Sequence, residues 1–381
     1  MMSCQTSIGT RVATMAAVLV TVGLGVPLVS QAEEAEVLKN PYAEVNWEQV
    51  NQYTANLHAH TVKSDGRALP EELISNYADA GYDILAITDH DNYHTTREGE
   101  PETTPTTETT WPWTEWVEEE PSEIWAIDGM ETSALYPELG ERGMLAIRGN
   151  ELTCDPHIVS LFNDCGFSDR IRTPDAERDH ERMTCVDEKG GLAYWAHPGH
   201  YVPGGSWEDR GFPWQEAVEY FGGFITEYDC LLGIEMQLGG EREVEEELLD
   251  RLLAEYYRDH DIFIKGSDDT HATSVAGDAT LTIVLAEELT EDAVRHALKN
   301  GHNFVGSRVE ALPVFNEITV DEEAKIISLD IANHDGVTWI ANGERHDEGD
   351  SIEYAGMEDT VLRFEVDAGG AVFYSQAFYI D

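Results

Sequence analysis

Short apolar runs recur between Thr54 and Glu287, separated by stretches of helical spacing, and most of the runs end in a histidine or an acid. No other feature limits the fold as much. TANLHAH is followed by PEELISNYADAG, whose apolar residues fall at helical intervals between Pro70 and Gly81, and then by DILAITDHD. MLAIRGNE, HIVSLF, GLAYWAHP, CLLGIEM, IFIKGSDDTH and TLTIVLAE continue the series, with helices predicted at Ala176 to Glu188, Glu241 to Asp259 and Glu291 to Lys299. Strands that are apolar on both faces and alternate with helices predict a parallel sheet, open or closed into a barrel.

In a strand from Thr54 to His60 the side chains alternate, so His58 and His60 share one face, a geometry suited to holding a metal ion. Ordinary strand histidines satisfied by hydrogen bonds are the bland alternative. The other runs bear on the choice. Asp65 follows the first; Asp89, His90 and Asp91 end the second; Glu151 stands in GNE, His157 in PHIV, His197 in YWAHP, and Asp269 and His271 in SDDTH. A parallel barrel opens all its strand ends onto one face, which would bring these residues together.

HAHTVKSDG, ITDHD, GNE, the later His157, AHP and SDDTH, in that order over residues 55–304, resemble the motifs of the PHP family, the polymerase and histidinol phosphatase domain. The resemblance implies an α/β fold, a distorted (β/α)7 barrel, and a metal-dependent phosphoesterase with two or three divalent ions. It implies one ion on His58, His60, Glu151 and Asp269. Glu151 would bridge to a second on His157 and His197, with a third on Asp65, His90 and His271. Asp65 resembles the branch of the family that carries Asp where others carry His. Two departures are the residue before Glu151, more often hydrophobic in the family, and the long insertion ahead of it.

Nitrogen and oxygen ligands without thiolate suit Zn, Mn or Fe. Two ions sharing a carboxylate would acidify a water and steady the oxygens of a phosphoryl group, with Asp269 expected among the catalytic residues. His200 is either a general acid for the leaving alcohol or a loop histidine. Arg67, Lys63 and Lys265 are either phosphate-binding groups or surface charges, Arg67 being preferred for its fork of donors. Asp89 and Asp91 either orient ligands or cap the loop that follows. His94, His180, His260, His296, His302, His334 and His346 fit no part of the pattern.

Seventy-five acidic residues against 23 basic ones, a formal charge of -52, argue against binding a nucleic-acid duplex or an anionic membrane. An acid excess spread through the chain suits a saline environment. Arg11, the apolar run from Val12 to Val29, and the small residues Ser30 and Ala32 follow the order of a secretory signal, expected over 1–32; a membrane anchor is the alternative. No later segment is apolar enough to span. After cleavage Cys154, Cys165, Cys185 and Cys230 allow two disulfides in three pairings, with a thiolate role open for Cys154.

A PHP-type hydrolase domain is expected over 33–306, interrupted by a Thr-, Pro-, Glu- and Trp-rich surface insertion at about 98–123. Its Trp111, Trp113 and Trp116 either cover a site or pin the loop. A small β-domain is expected over 307–381. The whole predicts an exported phosphoesterase that hydrolyses a phosphomonoester or small phosphodiester, a small anionic substrate, with a metal-activated hydroxide. The rival readings are a metal-binding barrel without catalysis, and a metal-dependent hydrolase of C–N or C–O bonds.

Overall fold

A computed structural model describes residues 35–61, 64–91, 144–163, 165–167, 172–240 and 242–381. The expected signal segment and the insertion with its three tryptophans lie outside the described residues. The strands are β1 (Val37–Lys39), β2 (Asn51–Asn56), β3 (Ile84–Ile87), β4 (Leu145–Leu152), β5 (Ile158–Leu161), β6 (Leu192–Trp195), β7 (Leu231–Met236), β8 (Phe263–Gly266), β9 (Thr280–Ala286) and β10 (Asn303–Ser307). Among them stand helices α1 (Pro70–Asp79), α2 (Ala176–Glu188), α3 (Trp214–Glu227), α4 (Arg242–Tyr256) and α5 (Glu291–Lys299).

Strands β2 to β8 lie side by side in chain order, and β9 pairs with the other edge of β2. Their residues are almost all buried, as runs packed on both faces require. The sheet is not uniformly parallel. β5 is antiparallel to both β4 and β6, and β9 is antiparallel to β2. Only residues 153–157 join β4 to β5, too few for the crossover helix that a parallel pair needs, so this step is a hairpin.

The ring closes between β8 and the β9–β10 pair by side chains instead of a backbone ladder. Thr282 Oγ1 accepts from Gly266 N and donates to Gly266 O, both at 2.8 Å. Asn303 Nδ2 donates to Ile264 O at 2.8 Å, while Gln376 takes Ile264 N and donates to Ile264 O, each at 2.9 Å. Each would otherwise be a buried, unpaired peptide group. At the end carrying the histidines, a parallel bridge joins Ala59 to Thr270, with His60 N donating to Thr270 O at 2.9 Å.

Two of the helices, α2 and α5, occupy the predicted spans, and Thr290 caps α5 by accepting from Ala293 N. α3 was not among the predicted helices. A Cβ on its Gly222 would lie 2.1 Å from the Tyr256 ring, so the glycine lets α3 and α4 approach closely.

Beyond β10 come β11 (Val314–Asp321), β12 (Ile326–Ala332), β13 (Gly336–Ala341), β14 (Glu344–Glu348), β15 (Ser351–Glu353), β16 (Thr360–Ala368), β17 (Ala371–Tyr374) and β18 (Phe378–Ile380). β11, β12 and β15 form a separate antiparallel sheet, while β16 to β18 continue the large one, β17 pairing with β10 and β18 with β1. One apolar cluster runs from Leu73 and Ile87 through Phe304 to Phe315, Trp339 and Phe364, with the Phe304 and Phe315 rings stacked 3.6 Å apart. Residues 35–381 are accordingly one compact unit.

Cys165 and Cys185 form a disulfide that ties the segment after β5 to α2. Cys154 and Cys230 are buried and take no part in one, so a single pairing forms where two were open. Among the described residues no helix is long and apolar enough to cross a membrane.

Candidate metal centre

His58 and His60 follow β2, both fully buried, and point to the same side with their Nε2 atoms 3.0 Å apart. Two imidazole nitrogens facing each other at that distance can share one proton at most, so the pair needs a cation or proton in common. The loop beyond them is tight. A Cβ on Gly66, the residue after Asp65, would lie 2.3 Å from His60 O, so the turn has room only for a glycine there. Asp89 braces this loop: Oδ1 accepts from Thr61 N at 2.7 Å and Ser64 Oγ at 2.6 Å, and Oδ2 accepts from Thr61 Oγ1 at 2.7 Å. Since Ser64 Oγ also lies 3.2 Å from His60 Nδ1, Asp89 both caps the loop and orients a histidine. Asp91 instead ties loops together, accepting from Thr153 N at 3.0 Å and Phe167 N at 2.8 Å.

Glu151, on β4, is the hub. Its Oε1 lies 2.7 Å from His157 Nδ1 and 2.9 Å from His197 Nε2. Its Oε2 lies 2.9 Å from His90 Nδ1, 3.3 Å from His60 Nε2 and 3.4 Å from His58 Nε2. One carboxylate thus faces two sets of imidazoles with its two oxygens. Asp269 Oδ1 reaches His60 Nε2 at 2.9 Å and His58 Nε2 at 3.3 Å. Asp65 gathers a further group, with Oδ1 3.1 Å from His271 Nε2 and Oδ2 3.5 Å from His90 Nε2.

All nine expected ligands therefore converge, in groups with ligand atoms mutually within 4.8 Å: His60, Asp65, His90 and His271; His58, His60 and Asp269; His58, Glu151 and His197; His90, Glu151 and His157. The grouping differs from the expected division in detail. His60 also joins the Asp65 group, and His157 and His197 meet different neighbours across Glu151. His197 and Asp269 have φ of 33° and 45°, a left-handed backbone that non-glycine residues rarely adopt and that concentrates at functional sites.

Burial alone would raise the Glu151 carboxyl, but His90, His157 and His58 around it outweigh burial and hold it well below the usual carboxylate range. Asp269 is held down in the same way by His58 and His60. Burial disfavours the charged form of His90 as well, yet Glu151 and Asp65 push it up to about 10, and Asp65 and Asp269 push His271 to about 9. The cluster thus attracts positive charge that burial would otherwise exclude, and His197 Nδ1 remains buried without a hydrogen-bond partner. A buried set of nitrogen and oxygen donors with such an orphaned atom fits a site for more than one metal ion.

The cluster floors a cavity of about 230 Å³ whose walls include His200, Trp207, Arg172 and Arg210. The Arg210 guanidinium lies 4.5 Å over the Trp207 ring and donates to Asp155 Oδ2 at 3.0 Å. Asp155 also accepts from Tyr201 Oη at 3.2 Å and lies 3.5 Å from His157 Nε2. His200 stacks on His197 at 4.6 Å. Burial, then the neighbouring His197, pull its imidazole down to about 3 against the opposing pull of Asp269 and Glu235, so it is uncharged at neutral pH.

The substrate-binding expectations fare differently. Lys63 lies outside the described residues. Arg67 is exposed, its backbone N–H bonded to His271 O, and it does not line the cavity. Lys265 is corrected: it is 0% exposed, with Nζ 2.7 Å from Glu235 Oε1 and 2.9 Å from Ser267 Oγ, and it does not line the cavity. Its partner Glu235, in the middle of LLGIEM, was missed by sequence reasoning although an acid within an unbroken apolar run was the available signal. Trp207, Arg210 and Asp155 were missed too, being loop residues with no periodicity to mark them.

No protein family and no curated protein matches the chain. Among solved structures it is similar to a two-domain protein containing a predicted PHP-like metal-dependent phosphoesterase from Bacteroides vulgatus ATCC 8482, at 17% identity over 91% of this chain and 98% of that one, with a TM-score of 0.46. It is also similar to a candidate metal-dependent phosphoesterase from Bifidobacterium adolescentis ATCC 15703 (19% identity, 65% and 96% coverage, TM-score 0.37) and to an amidohydrolase from Chromobacterium violaceum with bound sulfate and no metal (16%, 57% and 87%, TM-score 0.34).

Proposed function

We propose that the chain is a metal-dependent phosphoesterase acting on a phosphomonoester or small phosphodiester. The observation that carries the reading is Glu151, whose two oxygens face two separate sets of imidazoles in the floor of an open cavity. His58, His60, Asp269, Glu151, His157, His197, Asp65, His90 and His271 would hold two or three divalent ions. Such ions, when bound, supply concentrated positive charge for a phosphoryl group and lower the pKa of a water. The chain's own part is to fix the donors and to shape the cavity above them. Arg210, held by Asp155 and lying over Trp207, offers a guanidinium to an anionic substrate, as does Arg172 at the wall. A volume of about 230 Å³ suits a small phosphoester better than a polymer.

Export and work in saline surroundings belong to the same proposal, supported by the N-terminal segment and by the charge of -52. The test is hydrolysis of an aryl phosphate by purified protein supplied with zinc or manganese, at several salt concentrations and beside carboxylic-ester and amide substrates. Activity abolished by a chelator and by the paired change His58→Ala and His60→Ala is expected. Turnover that survives both, or that is confined to the carbonyl substrates, rejects the phosphoesterase reading.

A further inference from the structure

Beneath the cluster, on the side away from the cavity, Glu235 of β7 and Lys265 of β8 face each other across neighbouring strands, both 0% exposed. A buried ion pair gains little net stability over an apolar pair of similar volume, because both charges leave water. The contacts suggest why this one exists. Both Glu235 oxygens lie 3.0 Å from His58 Nδ1, the nitrogen turned away from the ligand side. Oε2 also accepts from the backbone N–H of His197 at 3.0 Å, and Oε1 accepts from Lys265 Nζ at 2.7 Å. Ser267 Oγ at 2.9 Å and the Tyr194 ring at 5.7 Å complete the surroundings of the ammonium.

We propose that Glu235 and Lys265 are a positioning pair for the metal centre, one carboxylate fixing two ligands from different strands and one ammonium fixing that carboxylate. By accepting from Nδ1, Glu235 holds the His58 proton there and leaves Nε2, the atom beside His60 and Asp269, as a lone-pair donor. By accepting from the His197 amide, it steadies the residue whose φ of 33° is costly for a side-chain-bearing residue. Lys265 keeps the carboxylate from turning towards either partner alone, and its charge limits how far Glu235 can draw the Nδ1 proton. The inference rests on the metal-holding part of the proposed function, not on the phosphoesterase part.

Zinc affinity, measured by competition with a chromophoric chelator on the folded full chain, tests it. Glu235→Gln, nearly isosteric, is expected to weaken one class of bound zinc by 10- to 100-fold. It should also shift the visible spectrum of the cobalt-substituted protein. Lys265→Met should act in the same direction. The double variant should be no worse than the worse single change, since the pair works as a unit. If a single variant does not fold, the neutral double variant, which buries no lone charge, carries the same reading. A purely structural pair would lower stability in denaturant while leaving zinc affinity and the cobalt spectrum of the folded protein at wild-type values, and that result overturns the proposal. Normal zinc binding with no phosphoester turnover would sink the proposed function and leave this inference standing.

Discussion

The strand ends that carry the histidines and the β-rich C-terminal part belong to one compact unit, joined in the large sheet through β16 to β18, yet they bury opposite chemistry. At the strand ends the buried side chains are His58, His60, His90, Asp89, Glu151, His197 and Glu235. In the C-terminal part they are Phe315, Trp339, Phe364, Phe373 and Phe378, packed as an ordinary apolar core. The first region concentrates groups whose charged forms attract one another but fit poorly in a dry interior, and so it gains from a bound cation. The second gains from exclusion of water alone. A ligand should therefore matter to one and not to the other.

The widest separation comes from Glu151→Gln. Removing the hub carboxylate should lower kcat/KM by at least about 10³-fold, as for groups that act as a unit, while the denaturant slope and the near-ultraviolet circular dichroism of the C-terminal tryptophan stay unchanged. Trp339→Ala, in the other region, should cost about 3–5 kcal/mol in urea unfolding and leave zinc affinity of the folded protein alone. Loss of zinc affinity with that change would break the comparison. Zinc at a hundredfold its dissociation constant should raise stability by about 2.7 kcal/mol, an increment read in thermal unfolding that Glu151→Gln should remove.

A smaller effect comes from outside both regions. Burial, then His296 beside it, pull the His302 imidazole down to about 4, with Glu44 acting weakly the other way. Between pH 6.5 and 4 the unfolded chain then binds a proton that the folded chain refuses, so this group's contribution falls with acidification through that window. The loss should be about 1–2 kcal/mol, softened by nearby water. His302→Gln should flatten that part of the pH–stability curve, whereas the zinc increment should persist in the same variant.

Much of the site was legible because its chemistry is written in residue type. Imidazoles and acids at the ends of apolar runs can be recognised without knowing how the runs pair, and the convergence of Glu151 with His58 and His197 follows once the ends share a face. Direction was not legible. An apolar run such as HIVSLF reads alike in either orientation, and only the five residues that join it to β4 make it antiparallel. Orientation also defeated the reading of Lys265: a positive residue on a strand beside a proposed phosphate site suggests a substrate contact, but Lys265 points inward to Glu235. Gly222 was silent for a related reason: a glycine in a helix can mark a close neighbour, but that neighbour, Tyr256, stands on the next helix and nothing beside Gly222 in sequence announces the contact.

Gln376, five residues from the last residue, occupies the open flank of β8 and takes both backbone groups of Ile264. The chain's final strands are therefore no detachable appendage. A truncation at Ser307 would strip that amide plug, together with the strand pairing of β17 on β10, and bare a β-strand flank to any second molecule able to add a strand of its own. Excision of the tail should thus register first as self-association, before any change in the chemistry at the metal centre.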